Sequence, residues 1–272
     1  MQIFKNILIN NIYYSFIDEG NGKNIVLLLH GFGEDATIWQ QQIDFLQKKY
    51  RVIAPNLAGT NNSNLIDKSI ITIEDYAIWV NQLLENLLPT INQKITILGH
   101  SMGGYITLAF AKLFPQKLNG FGLIHSTAFA DSEEKKQVRL RCIDAMETYG
   151  GYAFLKNTIP NLFSNYFKEN NFQQVENLIE NSKTISNKAL KQYYTAMMNR
   201  ENTVNVLQNT TVPVLFIIGK EDVATPMQDV LQQCHLPNHS FIKILENVGH
   251  IGMLEAPEKV NVCIANFLKS IN

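Results

Sequence analysis

The stretch Ile95-Thr96-Ile97-Leu98-Gly99-His100-Ser101-Met102-Gly103-Gly104 decides the fold of this chain. Its first four residues form a short, largely β-branched apolar run, the composition of a strand buried on both faces. The turn that follows reads Gly-x-Ser-x-Gly, and the residues from Tyr105 to Leu113 have helical spacing. A serine on so tight a strand-to-helix turn sits in a strained backbone conformation, and only small neighbours let the chain bend that sharply. Ser101 is therefore the expected nucleophile.

The same alternation extends outward in both directions. Upstream, Ile7-Leu8-Ile9 and Ile12 to Phe16 flank Asn10-Asn11 and predict a β-hairpin, because Asn tolerates the positive φ of a tight turn. Ile25 to Leu29 reads as a buried strand stopped by His30-Gly31. It is followed by a helix from Thr37 to Lys49, a strand from Tyr50 to Pro55 and a loop from Asn56 to Ser69. Ile73 to Leu88 predicts an amphipathic helix that halts before Pro89. Downstream, Leu118 to His125 is the sixth strand. Helical periodicity without a convincing strand then runs from about Thr127 to Val206, rich in aromatics. Strands return at Val212–Gly219 and Ser240–Leu245, and a last helix covers Pro257 to Ser270. This order predicts an α/β fold, a mostly parallel central sheet flanked by helices, with a helical cap inserted after the sixth strand. The core would comprise residues 1–126 and 207–272, and the cap residues 127–206.

Composition narrows the class of function. The 272 residues are 46% hydrophobic and 17% charged, an ordinary globular balance. Lys and Arg total 23 against 24 Asp and Glu, so neither nucleic acid nor an anionic membrane is an expected partner. Cys142, Cys234 and Cys263 are far apart and suit neither a disulfide framework nor a zinc site. The first ten residues lack the pattern of a signal peptide and no run has the length of a membrane span, which together predict a cytoplasmic protein.

Serine needs a base within hydrogen-bonding reach, and the base needs a carboxylate to orient it. His250 lies in Asn247-Val248-Gly249-His250, just beyond the strand ending at Leu245, on the side of an open α/β sheet where ligands bind. His125 ends a strand too, but beside the insertion. His235 and His239 read as surface, and His100, next to the serine, is expected only to help hold the turn. Asp222 follows the strand ending at Ile218 and is preferred to its neighbour Glu221 as the orienting acid. The resulting chain order is Ser, Asp, His. The backbone N–H groups of Met102 and of Phe32, in His30-Gly31-Phe32-Gly33, are the expected oxyanion hole.

On these residues the chain resembles the α/β-hydrolases of the small esterase, lactonase and carbon–carbon hydrolase branch. The resemblance rests on His30-Gly31-Phe32-Gly33, Gly99-His100-Ser101-Met102-Gly103-Gly104, Gly219-x-x-Asp222-x-x-x-Pro226 and Gly249-His250-x-x-x-Leu254-Glu255-x-Pro257-Glu258, in register from about residue 7 to residue 270. It implies that residues 127–206 cap an active site lying between cap and sheet. The loop Asn56-Leu57-Ala58-Gly59-Thr60-Asn61-Asn62-Ser63 departs from the Asp-Leu-Pro-Gly-His-Gly-x-Ser type of those relatives. Dehalogenases and epoxide hydrolases of this fold attack through a carboxylate. A serine at 101 points instead to acyl transfer to water, with no metal or organic cofactor.

Phe32, Phe129, Phe154, Phe163 and Val223 are the expected substrate-binding residues, lining an apolar pocket for a small to medium acyl group. Lys135, Lys136, Arg139 and Arg141 are read as a solvated helix face, since Glu133 and Glu134 lie alongside. In esterases similar to this chain, cap arginines receive an acyl-carrier protein, a less favoured reading here. The expected partner is a small carboxylic ester. A lactone, a carbon–carbon bond, or a ligand-binding signalling role that keeps the triad are the alternatives.

Overall fold

A computed structural model describes residues 4–88 and 94–271. Eight strands form one sheet: β1 (Lys5–Ile9), β2 (Ile12–Glu19), β3 (Ile25–Leu29), β4 (Arg51–Pro55), β5 (Ile95–His100), β6 (Leu118–Ile124), β7 (Val214–Gly219) and β8 (Ser240–Leu245). Their spatial order is β1-β2-β4-β3-β5-β6-β7-β8. The β1–β2 and β2–β4 pairings are antiparallel, and every pairing from β4 to β8 is parallel. The hairpin turn holds Asn10 and Asn11 at φ 51° and 62°, where Asn is tolerated. The apolar runs of β3, β5 and β7 are buried at every position, as parallel strands covered on both faces must be.

Helix α1 (Gln40–Leu46) packs on the last helix, α12 (Pro257–Ile271), while α2 (Ile73–Leu87) packs on α3 (Met102–Leu113). The stretch expected as one helix from Thr37 begins as a tight 3₁₀ turn, Ala36–Trp39, whose N-cap Asp35 accepts the Thr37 N–H. Strand β2 outruns its expected end by three residues because Arg51 grips Asp18 with two 2.9 Å bonds across the pairing with β4. Helix α2 starts on a capping box between Thr72 and Asp75, and the expected stop at Pro89 lies outside the described residues. Helix α3 begins at Met102, three residues before its periodicity becomes legible, because the elbow serine is itself the N-cap.

Between β6 and β7 the chain forms α4 (Glu133–Tyr149), α5 (Gly151–Thr158), α6 (Asn165–Asn170), α7 (Phe172–Asn181), α8 (Asn187–Met198) and α9 (Val204–Asn209), with no strand among the described residues. The loop after β4 ties this segment to the sheet. Tyr193 of α8 is fully buried, with its hydroxyl 2.7 Å from Thr60 Oγ1 and 3.0 Å from the Ala58 carbonyl. Asn56 in the same loop accepts the Ala36 N–H and donates to Ser15 Oγ. Short helices α10 (Met227–Leu231) and α11 (Gly252–Glu255) complete the fold. No described helix is long and apolar enough to cross a membrane.

Removing the Tyr193 hydroxyl strands buried oxygens of the loop without changing the shape of either element. Tyr193→Phe should therefore lower unfolding free energy by about 1–3 kcal/mol, measured by urea denaturation, and an unchanged midpoint would show that this contact does not bind the two elements.

Candidate active site

The turn from β5 into α3 holds Ser101 at φ 50° and ψ −116°. A Cβ on Gly99 would strike the Gly103 carbonyl, and one on Gly103 would strike the carbonyl of Leu29, so both positions need glycine. The Ser101 N–H is spent on the Ile124 carbonyl at 3.0 Å, and Ser126 Oγ donates to the Ser101 carbonyl at 2.8 Å. The side chain, partly exposed, opens into a cavity of about 190 Å³ that it shares with His250.

Strand β7 ends in the loop that carries Asp222, and β8 in the loop that carries His250. The His250 Nδ1–H donates to Asp222, with 2.8 Å to Oδ2 and 3.0 Å to Oδ1. That bond fixes the tautomer, leaving Nε2 as the basic nitrogen. Asp222 Oδ1 also accepts the N–H groups of Ala224 and Thr225 at 2.9 and 2.8 Å. Burial raises the pKa of this carboxyl, but electrostatic attraction to His250 and the hydrogen bonds from His125 and His250 outweigh it and hold the group well below the usual carboxylate range. Glu221, the adjacent alternative, is exposed.

The loop after β3 approaches the serine from the other side. Gly31 lies against the Ser101 Cβ, and Phe32 lines the cavity. Met102 is the first residue of α3, and at a helix N-terminus its N–H has no intrahelical acceptor. The two groups expected as an oxyanion hole thus flank Ser101. His30 supports the loop from beneath: its Nδ1–H donates to the Gly31 carbonyl and its Nε2 accepts the Leu57 N–H at 2.9 Å.

Four contributors have roles that the sequence did not reveal. Glu34, buried, accepts the Gly31 N–H at 2.8 Å and the His100 Nδ1–H at 2.9 Å. His100 also donates from Nε2 to the His250 carbonyl at 2.9 Å. Both ring nitrogens of His100 face acceptors, so the ring is an imidazolium. Burial lowers its pKa, but the Glu34 charge and hydrogen bond prevail and raise it. Glu255 shapes the loop of His250, accepting the N–H groups of Gly249, Ile251 and Ser164. His125, set aside on sequence grounds, has φ 48° and brings Nδ1 within 3.2 Å of Asp222 Oδ2. An acid just after the His30-Gly31-Phe32-Gly33 motif was the available signal for Glu34, and a place at the end of a strand was the signal for His125.

The substrate-binding expectations divide. Phe32 and Val223 line the cavity, together with Glu34, Tyr105, Lys135, Arg139, Leu162, Tyr194 and Met197. Phe129, Phe154 and Phe163 are not among its lining residues. Phe154 stands behind Phe32 and Tyr194, edge-on to both, and Phe163 is stacked on Phe167 inside the helical segment. Phe129 instead offers its carbonyl to Arg200. The reading of the α4 cations as a solvated face also needs correction, since Lys135 and Arg139 line the cavity while Lys136 pairs with Glu133. Ligand atoms of His125, Asp222 and His250 lie within 4.8 Å of one another, but a metal there would compete with the bonds both Nδ1 atoms make to Asp222.

Residues 24–257 match the family model described as the alpha/beta hydrolase fold. A thermophilic esterase from Thermogutta terrifontis superimposes with a TM-score of 0.91 at 27% identity, over 99% of each chain. Monoacylglycerol lipase ABHD6 of Mus musculus is 24% identical over 95% of this chain and 80% of its own. The (E)-2-((N-methylformamido)methylene)succinate hydrolase of Acinetobacter baylyi is 22% identical over 97% of both.

Burial pushes the pKa of His125 from 6.5 down to about 4. Between those values the unfolded chain binds a proton that the folded chain does not, so stability falls as pH falls. His125→Asn removes this titration and keeps a donor toward Asp222. Urea unfolding at pH 7 and 4.5 should show the parent chain losing about 2–3 kcal/mol more than the variant. Equal losses would show that His125 takes no part.

Proposed function

The chain belongs to the α/β-hydrolase family, and on that premise we propose that it is a serine hydrolase cleaving small to medium carboxylic esters. The observation that carries the reading is the His250–Asp222 bond, which leaves a basic nitrogen facing the cavity into which the strained Ser101 opens. Ser101 Oγ attacks the ester carbonyl while His250 Nε2 takes its proton. Negative charge on the former carbonyl oxygen is met by the N–H groups of Met102 and Phe32. The alcohol leaves with the proton from His250, and water, activated by the same nitrogen, releases the acid and restores Ser101.

The helical segment between β6 and β7 acts in this reading as the cap, since it supplies Lys135, Arg139, Leu162, Tyr194 and Met197 to the cavity. A cavity of about 190 Å³ is smaller than pockets for drug-sized ligands and favours a short acyl group. The Thermogutta relative is an esterase and the mouse relative a monoacylglycerol lipase, which supports an ester substrate over a carbon–carbon bond.

Ser101→Ala should lower kcat on p-nitrophenyl acetate and butyrate by at least about 10,000-fold, and a fluorophosphonate should label the parent chain but not the variant. Failure of the reagent to label Ser101 would overturn the assignment.

A further inference from the structure

Positive charge around the cavity exceeds the negative charge available to pair with it. Helix α4 carries Lys135 and Arg139 one turn apart, on the face that shares the cavity with Ser101 and His250. The Arg139 side chain is only 12% exposed, and its Nε donates to Asp131 Oδ2 at 2.6 Å. The same carboxylate holds Arg200, whose Nη1 lies 2.9 Å from Oδ1, so one buried anion serves two guanidiniums. Burial raises the pKa of Asp131, but the Arg139 bond and the charges of Arg139, Arg200 and Lys135 bring it below the usual range, keeping it ionised. Lys135 Nζ rests on the Ala224 carbonyl at 3.0 Å, a dipole rather than a charge. Glu34, the carboxylate that lines the cavity, is already occupied by His100 and the Gly31 N–H.

Buried charge without a counter-charge is costly, and a guanidinium presents a planar fork that fits a carboxylate. The aromatic walls hold the cations in place rather than neutralise them. The Tyr194 ring centroid is 5.0 Å from Arg139 Cζ, and that of Tyr105 is 4.0 Å from Arg200 Cζ. Burial pushes the Tyr194 hydroxyl well above its usual range, so it remains a neutral donor. Phe32, Leu162 and Met197 leave the rest of the wall apolar.

We propose that the substrate carries a second, anionic group, a carboxylate a few bonds from the scissile carbonyl, bound by Arg139 and Lys135. This deepens the serine-hydrolase reading and rests on it. The half-ester of a short dicarboxylic acid, or a lactone bearing a carboxylate, has the required chemistry. Hydrolysis itself is unchanged; the subsite raises the occupancy of such a substrate and orients its carbonyl toward Ser101.

The test compares kcat/KM for p-nitrophenyl hydrogen succinate and p-nitrophenyl butyrate at low salt, after subtraction of spontaneous hydrolysis. The parent chain should prefer the anionic ester, and Arg139→Met should reduce the ratio by at least about tenfold. Lys135→Met, which removes a single bond to Ala224, should lower the same ratio and keeps the test open if Arg139→Met fails to fold. An unchanged ratio in both variants would overturn the subsite, while continued turnover of the neutral ester would leave the serine-hydrolase reading standing. If no ester turns over and Ser101 resists labelling, that reading fails, and calorimetry with succinate then decides the subsite. Saturable binding lost in the variants supports it, and absent binding overturns it. Tighter binding of inorganic phosphate than of succinate would reject a carboxylate as the ligand.

Discussion

The backbone at Ser101, at φ 50° and ψ −116°, is the constraint on which the rest of the site depends. A residue with a Cβ held there costs of order 1–3 kcal/mol, and persists only where the surroundings over-determine it. Here they do. Strand β5 is paired on both sides, with β3 and β6, and the Ser101 N–H and carbonyl are bonded to Ile124 and Ser126. The sheet therefore holds the elbow as a clamp would, and α3 can only start at Met102. In the proposed reading that start aims a helix N-terminus at the developing oxyanion. The adjacent end of β3 delivers the Gly31–Glu34 loop to the same point.

Around that elbow, protonation is set by acceptors rather than by intrinsic basicity. His30 is a neutral ring because one nitrogen donates to Gly31 and the other accepts from Leu57. His100 is a cation because both nitrogens face oxygens, one of them a buried carboxylate. His125 is neutral because only one nitrogen has a partner, its Nε2 being buried without one. The Glu34–His100–His250 sequence of bonds joins the loop after β3 to the loop after β8, and Glu255 joins the latter to the helical segment at Ser164. A buried polar group left unpaired costs about 1–3 kcal/mol, so none of these loops can shift alone. Rigidity of the site comes from this shared satisfaction, not from any one contact.

Much of this was legible in the sequence because it rests on local rules. A buried parallel strand must be apolar throughout, a sharp elbow must have glycine on both sides, and a hairpin turn at positive φ suits Asn10-Asn11. Those rules gave the element order, the sheet class and the triad candidates. What escaped was set by contacts between residues far apart in the chain. Glu34 and His100 are separated by 66 positions, and His125 and Asp222 by 97. No periodicity encodes either meeting. The aromatic residues misled for the same reason: Phe163 looked like a pocket wall, yet the helical segment has its own interior to fill, and Phe167 is its partner. The cations of α4 misled in the opposite sense, because Glu133 and Glu134 sit on its outer side while Lys135 and Arg139 turn inward.

That inward turn separates two tasks by element. In the proposed reading the sheet ends supply the nucleophile, the base and the acid. The helical segment supplies the other wall of the cavity, which is cationic as well as apolar. Stability alone does not account for this. A buried ion pair is often no better than well-packed hydrophobic residues of the same volume, and two guanidiniums on one carboxylate are worse than a matched pair. Arg200 has a structural occupation, since it also bonds the carbonyls of Phe129 and Met197. Arg139 bonds Asp131 and lies against Tyr194, and it is the one that lines the cavity shared by Ser101 and His250. A charge kept at that cost, in that place, is best explained by something that arrives to meet it.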